Sequence, residues 1–342
     1  MAEQRGLVEE VKHRAGKYGG FTFGGQQPDG VSVHHPLCRG TVFPGGAKAA
    51  VLLTFDVEGT YGNAEGDVKK ELSNFPKICT FLARSGIPAT FNVIGQMAEE
   101  LGPDFLHSMI DAGCEVASHG YVHDLNKLYG GDRVYAGHYG LDENTALVME
   151  GVAALDKIIR PGGVRGIRFP YGHFNEYSYN AVERSGLSWT SNVGIDDFVV
   201  PGQGYGPQPF QMKLGEKIYP IVEIPLDSQT FDWPIWIADE NTNGVFVDAV
   251  KRYCDDRGIP FVRTPKGAVA VWKTRIAEAV ANNSVLTLLC HPIYLTIRNA
   301  AWGDPVEEFL FPVIEILADL SRQNSAWVCT CSQMAEFYRE LR

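Results

Sequence analysis

The 342-residue sequence has no run of 18 or more apolar residues, so no segment reads as a membrane-spanning helix. Its opening stretch, MAEQRGLVEEVKHRAGKYGG, holds no apolar core of the signal-peptide kind, and the expected location is the cytoplasm. It has no block of Lys or Arg, and the formal net charge is -11 at pH 7. That balance excludes nucleic acid and an anionic membrane surface as main partners. Seven cysteines form no disulfide framework: Cys38, Cys79, Cys114, Cys254, Cys290, Cys329 and Cys331 are scattered, odd in number and mostly set in apolar runs. They read as core thiols in a reducing compartment. Cys329-Thr330-Cys331 lacks the spacing of a zinc ribbon. No internal repeat is visible.

What is present is an ordinary globular composition, 45% hydrophobic and 21% charged. It suffices for two modest cores or for one barrel of about 250 residues with extensions. Residues 1–46 are rich in Gly, Gln, Pro and His and lack periodicity, so they read as an N-terminal arm lying on a domain of residues 47–342. From Ala49 the chain alternates. Ala49–Phe55 is an apolar run of buried-strand character, followed by a helical stripe over Glu71–Ser85. Strands are expected at Pro88–Ile94, Cys114–Ala117, Val164–Phe169, Leu187–Val193, Ile218–Leu226, Val285–Cys290 and Trp327–Cys329. Helices are expected at Pro103–Ala112, Asp142–Ile159, Asn175–Ser185, 244–256, 266–282, 305–322 and from Gln333. Residues 200–217, rich in Gly, Pro and Gln, read as a loop. Strands alternating with helices imply an α/β fold with a parallel sheet, and this many units favour a closed or nearly closed barrel.

Chemistry-bearing residues gather at the ends of these strands, where such folds keep their sites. His119 and His123 stand four apart; in one helical turn they would share a face and could hold one metal ion. Two unrelated histidines near a strand end is the plainer alternative. Asp56 and Glu58 follow the first buried strand at alternate positions, so both can point to one side. His291 follows the strand ending at Cys290. Two histidines and a carboxylate meet the ligand count of a catalytic zinc, which leaves a position for water. Such an ion lowers the pKa of its water and polarises a carbonyl, and a remaining histidine could protonate a leaving nitrogen.

These residues carry a family resemblance. Leu53-Thr54-Phe55-Asp56, the run Gly86–Gly95, Gly113 through His119 to His123, Arg168-Phe169-Pro170-Tyr171-Gly172 and Leu288-Leu289-Cys290-His291 stand in the order of the polysaccharide deacetylase motifs. From about Ala49 to its C-terminus the chain resembles that family, the NodB-homology domain of carbohydrate esterase family 4. The resemblance implies a distorted (β/α)7 barrel and metal-dependent hydrolysis of N-acetyl groups on an aminosugar or polysaccharide. It implies Asp56 as the base for a metal-bound water, His119 and His123 as ligands, and Arg168 as the ion-pair partner of the base. It further implies the Tyr171 N–H as part of an oxyanion hole and His291 as the acid, held by a nearby carboxylate.

Two departures matter. The family's usual first motif has adjacent aspartates, base then ligand, but here Val57 follows Asp56. Glu58, one residue later, resembles the Asp-x-Asp/Glu pattern of a divergent branch that includes peptidoglycan-deacetylase-like and allantoinase-like proteins. Glu58 is therefore the expected third ligand; the alternatives are metal binding by Asp56 itself or a metal-free site. The carboxylate behind His291 is open among Asp232, Asp227 and Asp196-Asp197, with Asp232 preferred. Trp233, Trp236 and Phe231 could stack on a sugar ring or simply pack in a loop. Zinc is the expected ion, with cobalt, nickel or manganese as alternatives. The expected partner is a carbohydrate or a small amide; a homo-oligomer remains open. A cyclic amide or imide hydrolase on the same fold is the second functional reading, and a catalytically inactive carbohydrate-binding barrel the third.

Overall fold

The computed structural model describes residues 31–38, 40–58, 68–123, 140–160, 162–172, 174, 176–192, 208–227, 232, 235, 240–296 and 302–342. Over these the chain is a mixed α/β fold, a ten-stranded sheet flanked by helices. The strands are β1 (Val31–His34), β2 (Ala49–Val57), β3 (Thr90–Val93), β4 (Glu115–Ser118), β5 (Gly166–Ile167), β6 (Trp189–Thr190), β7 (Phe210–Leu214), β8 (Lys217–Glu223), β9 (Val285–Cys290) and β10 (Ala326–Val328). The helices are α1 (Val68–Ser85), α2 (Gly95–Leu101), α3 (Pro103–Asp111), α4 (Leu141–Ile158), α5 (Glu176–Arg184), α6 (Glu240–Arg257), α7 (Pro265–Ala281), α8 (Phe311–Arg322) and α9 (Cys331–Glu340). Among the described residues no helix is long and apolar enough to cross a membrane.

β2 is the central strand and shows how sequence becomes architecture. It pairs in parallel with β9 along one side. Its other side pairs in parallel with β10 at its start and with β3 at its end. Both edges being satisfied, all nine of its residues are buried, as expected of a near-continuous apolar run in a parallel sheet. The two-residue period divides it cleanly. Val51, Leu53, Phe55 and Val57 join the large core under the helices, with Phe91, Ile78 and Leu82. Ala50 and Leu52 join a second cluster with Ala117, Trp189, Val222 and the α9 residues Met334 and Tyr338. Each large apolar side chain so buried stabilises the fold by about 1.5–3 kcal/mol. Thr54 and Asp56 continue the Ala50–Leu52 face, so the second face changes from apolar to polar towards the strand's C-terminal end.

Seven strands run parallel in the order β9-β2-β3-β4-β5-β6-β8. Just past β8, the Asp227 N–H reaches the Thr287 carbonyl of β9 at 3.4 Å. β7 turns back against β8 in antiparallel fashion, and β1 adds to the far side of β7.

The structure departs from the sequence expectations at several elements. Residues 200–217 are not all loop: Phe210–Leu214 is a strand, with Phe210 and Met212 buried and Gln211 and Lys213 less so. A Gly-rich setting masks that alternation. The two-residue strands β5 and β6 are far shorter than the expected Val164–Phe169 and Leu187–Val193. The region before β4 is two helices, because Gly102 at φ 77 and Pro103 break the run. Of the N-terminal arm, residues 31–46 supply β1 and pack Phe43 beside Trp327 and Phe337.

Candidate active site

The C-terminal ends of β2, β3, β4, β5, β6 and β9 converge on one buried polar cluster. Asp56 comes from β2 and Asn92 from the paired position of β3. Glu58 follows β2, His119 follows β4, and Arg168 follows β5. Ser191 follows β6 and His291 follows β9. All are buried, with Glu58 at 6% and His291 at 7% the most exposed of the charged groups.

The histidine pair meets, but not on a helix. His119 to His123 is irregular chain, and Gly120 takes φ 79, a left-handed conformation that glycine adopts freely. The turn brings both Nε2 atoms to one carboxylate oxygen: Glu58 Oε1 lies 3.2 Å from His119 Nε2 and 3.1 Å from His123 Nε2. The helical-turn expectation for the pair is therefore corrected, while the pair's convergence is retained. His119 Nδ1 stands 2.8 Å from the Arg168 carbonyl, which can only accept, so Nδ1 carries a proton and Nε2 is the atom turned to Glu58.

The donor set fits a divalent ion. The three ligand atoms lie within 4.8 Å of one another. Bonds of about 2.0–2.1 Å in a tetrahedron set ligand atoms about 3.3 Å apart, close to the observed separations. Charge agrees. Asp56, Glu58 and Asp232 are buried carboxylates, and Arg168 and a protonated His291 are the cations paired with them. One negative charge is left over, and a cation at Glu58 offsets it. Asp56, Glu58 and His291 form a second possible ligand group around the same Glu58 oxygen. In it Asp56 is paired with Arg168 through Oδ1 at 2.6 Å and His291 with Asp232 through Nδ1 at 2.8 Å, so the two groups share Glu58 and differ in their other members.

Asp56 is held through one oxygen. Arg168 Nη1 and Asn92 Nδ2 donate to Oδ1, at 2.6 and 2.9 Å. Among the described residues nothing donates to Oδ2, which remains able to take a proton. Burial raises the Asp56 pKa, but the charges of Arg168, His119 and His291 outweigh it and hold the carboxyl below its ordinary value. Glu58 behaves likewise: burial raises its pKa, but His123 and the hydrogen bonds from both histidines bring it well below the usual range. The Arg168 guanidinium is itself clamped, Nη1 to Thr54 Oγ1 at 3.0 Å, Nε to the Ser191 carbonyl and Nη2 to Ser191 Oγ, both at 2.9 Å. Its side chain thus fixes Asp56 while its carbonyl fixes His119.

His291 belongs to Asp232. Nδ1 sits 2.8 Å from Asp232 Oδ1, and the His291 backbone N–H donates to Oδ2 at 2.6 Å. Burial lowers the imidazole pKa, but the Asp232 charge and hydrogen bond overcome this and push it up to about 9. Nε2 faces the cluster, 3.8 Å from Glu58 Oε1. Of the competing carboxylates, Asp227 is turned to Arg275 at 2.7 Å. Asp196 and Asp197 lie outside the described residues, as do Phe231, Trp233 and Trp236. Tyr171 falls in the short turn Pro170–Gly172, closed by the Gly172 N–H on the Phe169 carbonyl at 2.9 Å.

Sequence reading missed Asn92, Ser191 and Asn192. The signal for Asn92 was available: it is a polar residue between Phe91 and Val93 in a buried strand, on the same face as Thr90. Ser191 and Asn192 had weaker signals, lying just after a two-residue strand. Asn192 Oδ1 accepts the Phe169 N–H at 2.8 Å, and Asn192's own N–H donates to the buried carboxylate of Glu223 at 2.6 Å.

Residues 45–189 match the family model described as polysaccharide deacetylase. That span holds Asp56, Glu58, both histidines and Arg168, and stops short of Asp232 and His291. Among solved structures, a putative polysaccharide deacetylase from Mycobacterium smegmatis is similar at 21% identity and TM-score 0.65, covering 91% of this chain and 96% of that one. A probable polysaccharide deacetylase from Pseudomonas aeruginosa PAO1 is similar at 14% identity and TM-score 0.57, covering 87% and 93%. A Puue allantoinase structure is similar at 16% identity and TM-score 0.55, covering 87% and 92%. At these identities the structural likenesses speak for the fold. Over residues 45–189, the span that carries Asp56, Glu58, His119, His123 and Arg168, the chain is similar to the polysaccharide deacetylase family.

Proposed function

We propose that this chain is a metal-dependent hydrolase that removes an N-acetyl group from an aminosugar or polysaccharide, with Glu58, His119 and His123 holding the ion. The observation that carries the reading is the meeting of both histidine Nε2 atoms on one Glu58 oxygen, beside an ion-paired Asp56 and an Asp-backed His291. The donor set suits zinc first, with cobalt, nickel or manganese also compatible. An ion held there supplies Lewis acidity at the acyl oxygen and lowers the pKa of the attacking water.

The protein's own groups do the rest. Asp56, kept anionic by Arg168, takes the proton of the attacking water at Oδ2. Arg168 and Asn92 keep Oδ1 engaged, so that the free oxygen is the basic one. The acyl oxygen gains negative charge as the carbon becomes tetrahedral, and the Tyr171 N–H serves as a donor to it. His291 Nε2 delivers a proton to the departing nitrogen, and Asp232 stabilises the imidazolium until it does. Trp233 is proposed as a stacking surface for a sugar ring, and Asp232 as the carboxylate behind His291. The base and acid are different residues with pKa values moved apart, as an amide hydrolysis at neutral pH requires.

The fold proposed around this site is a distorted (β/α)7 barrel of residues 47–342, with residues 1–46 as an arm. The run of seven strands paired in parallel from β9 to β8, and the hydrogen bond from Asp227, just past β8, to Thr287 of β9, support it. A cyclic amide is the second substrate reading, favoured by the Asp56-x-Glu58 spacing. The decisive assay incubates the zinc-loaded protein with N-acetylated chitooligosaccharides and, separately, with allantoin and hydantoins. Acetate release supports the first reading and ring opening the second. No turnover of any of them contradicts both.

A further inference from the structure

Resting on the reading that Glu58, His119 and His123 hold a divalent ion, we infer that a junction of three glycines, Gly95, Gly120 and Gly151, sets the spacing of the two histidine ligands, with Gly151 of α4 as its key positioning residue. The ligand loop is gripped from two sides. On one, the first N–H groups of α2 hold its backbone: Gly95 N–H donates to the Gly120 carbonyl and Gln96 N–H to the Tyr121 carbonyl, both at 2.9 Å. The loop's own ends are tied as well, His119 N–H to the Val93 carbonyl at 2.9 Å and Gly120 N–H to Ser118 Oγ at 3.1 Å.

On the other side α4 comes into backbone contact. A Cβ placed on Gly151 would stand 2.7 Å from the Gly120 carbonyl carbon, 2.9 Å from its oxygen and 2.9 Å from Ser118 Oγ. Side-chain carbons do not approach backbone that closely, so the loop would have to move. A Cβ on Gly95 would stand 3.0 Å from the Tyr121 ring and 3.1 Å from the Gly151 Cα. Neither Gly95 nor Gly151 has a positive φ, so what each provides is the lack of a side chain. Gly151 also lies well inside an 18-residue helix, where glycine is unfavourable and alanine would ordinarily raise stability. Its presence there is explained by the loop it lets in. Gly120 sits between the two ligands, next to His119. Displacing it spreads donor atoms now 3.1 and 3.2 Å from Glu58 Oε1.

The test reads metal binding on the full chain. Zn2+ affinity is measured by competition with a chromophoric chelator, and the visible absorption of the Co2+-loaded protein reports ligand geometry. The variants are Gly151→Ala, Gly95→Ala and, as a control for lost stability, Leu317→Ala in the buried face of α8. The expected result is Zn2+ binding weakened about tenfold or more in Gly151→Ala, the size seen when groups orienting metal ligands are removed. A changed Co2+ spectrum and a smaller loss in Gly95→Ala accompany it, while Leu317→Ala binds Zn2+ like the parent despite a lower Tm. Gly151→Ala binding Zn2+ as the parent does, with the parent's Co2+ spectrum, overturns the inference and leaves the metal reading standing. Should Gly151→Ala not fold, Gly95→Ala decides by the same two readouts. A parent chain that binds neither ion overturns the metal reading itself, and this inference with it.

Discussion

As the proposed base, Asp56 depends on its neighbours to settle which oxygen works. Arg168 and Asn92 both donate to Oδ1, and the Arg168 charge, with those of His119 and His291, holds the carboxyl below its ordinary pKa. Asp56→Asn keeps the shape but cannot take a proton. It is expected to lose about 100-fold or more in kcat while retaining bound metal, measured by turnover and metal content on the same preparation. Asn92→Leu frees Oδ1 from one donor and should lower kcat by less, since Arg168 remains. His291 titrates from about 6.5 in the unfolded chain to about 9 in the fold. A raised pKa means the protonated form stabilises the fold; that contribution is full below pH 6.5 and is lost as pH rises through 9. The acid is likewise available below that value, so kcat falls on the alkaline side, and a cation beside Nε2 draws the limb downward from 9. Asp232→Asn removes the main raising charge, and its pH–rate profile should show the alkaline limb at lower pH than the parent's. An unmoved limb would separate Asp232 from the acid.

At the scale of elements, β2 was legible because its apolar run is long and its polar residues recur with the period of a strand. Asp56 and Glu58 could be assigned to one side from spacing alone. β5 and β6 were not legible at their true length: the expected strands reached into segments whose hydrogen bonds leave the ladder, such as Phe169 N–H on Asn192 Oδ1 and Asn192 N–H on the Glu223 carboxylate. The histidine pair shows the limit from the other direction. An i, i+4 spacing predicts a shared face on a helix, yet here Gly120 and the grip of α2 and α4 bring the rings together on a loop. Only long-range contacts, Val93 to His119 and Gly151 to Gly120, determine that. β7 hid for a related reason, since its pairing with β8 and β1 outweighs the Gly/Pro-rich setting. Beneath the sheet, α9 carries a capping box in which Thr330 accepts from Gln333 N–H and Gln333 answers on the Thr330 N–H. Its next residues, Cys331 and Ser332, donate backbone N–H groups to Thr90 and to the half-buried Glu115. Thr330→Ala should cost about 1 kcal/mol, read as a lowered midpoint in denaturant with no change in Zn2+ affinity, because the cap touches no ligand.

For the whole molecule, the site exists because several strand ends meet where no local segment could bring them. Glu58 follows β2, His119 and His123 follow β4, Arg168 follows β5 and His291 follows β9, so residues more than two hundred positions apart share one cluster. The motif order in the sequence identified these groups, and the resemblance gave them roles. The third ligand was the doubtful member, because Val57 stands where an aspartate is usual. The structure turns Val57 into the helix-side core and brings Glu58 to the histidines, which is the outcome a two-residue strand period allows and an adjacent pair does not. In the proposed site Glu58, His119 and His123 together hold one divalent ion. The most direct measurement is metal content per chain, by elemental analysis after dialysis against trace Zn2+, for the parent, Glu58→Ala and His119→Ala. The account predicts about one ion per chain in the parent, by the three-ligand count of a catalytic zinc site, and loss of that ion in both variants. A parent without metal, or a Glu58→Ala protein that keeps its ion, would contradict it.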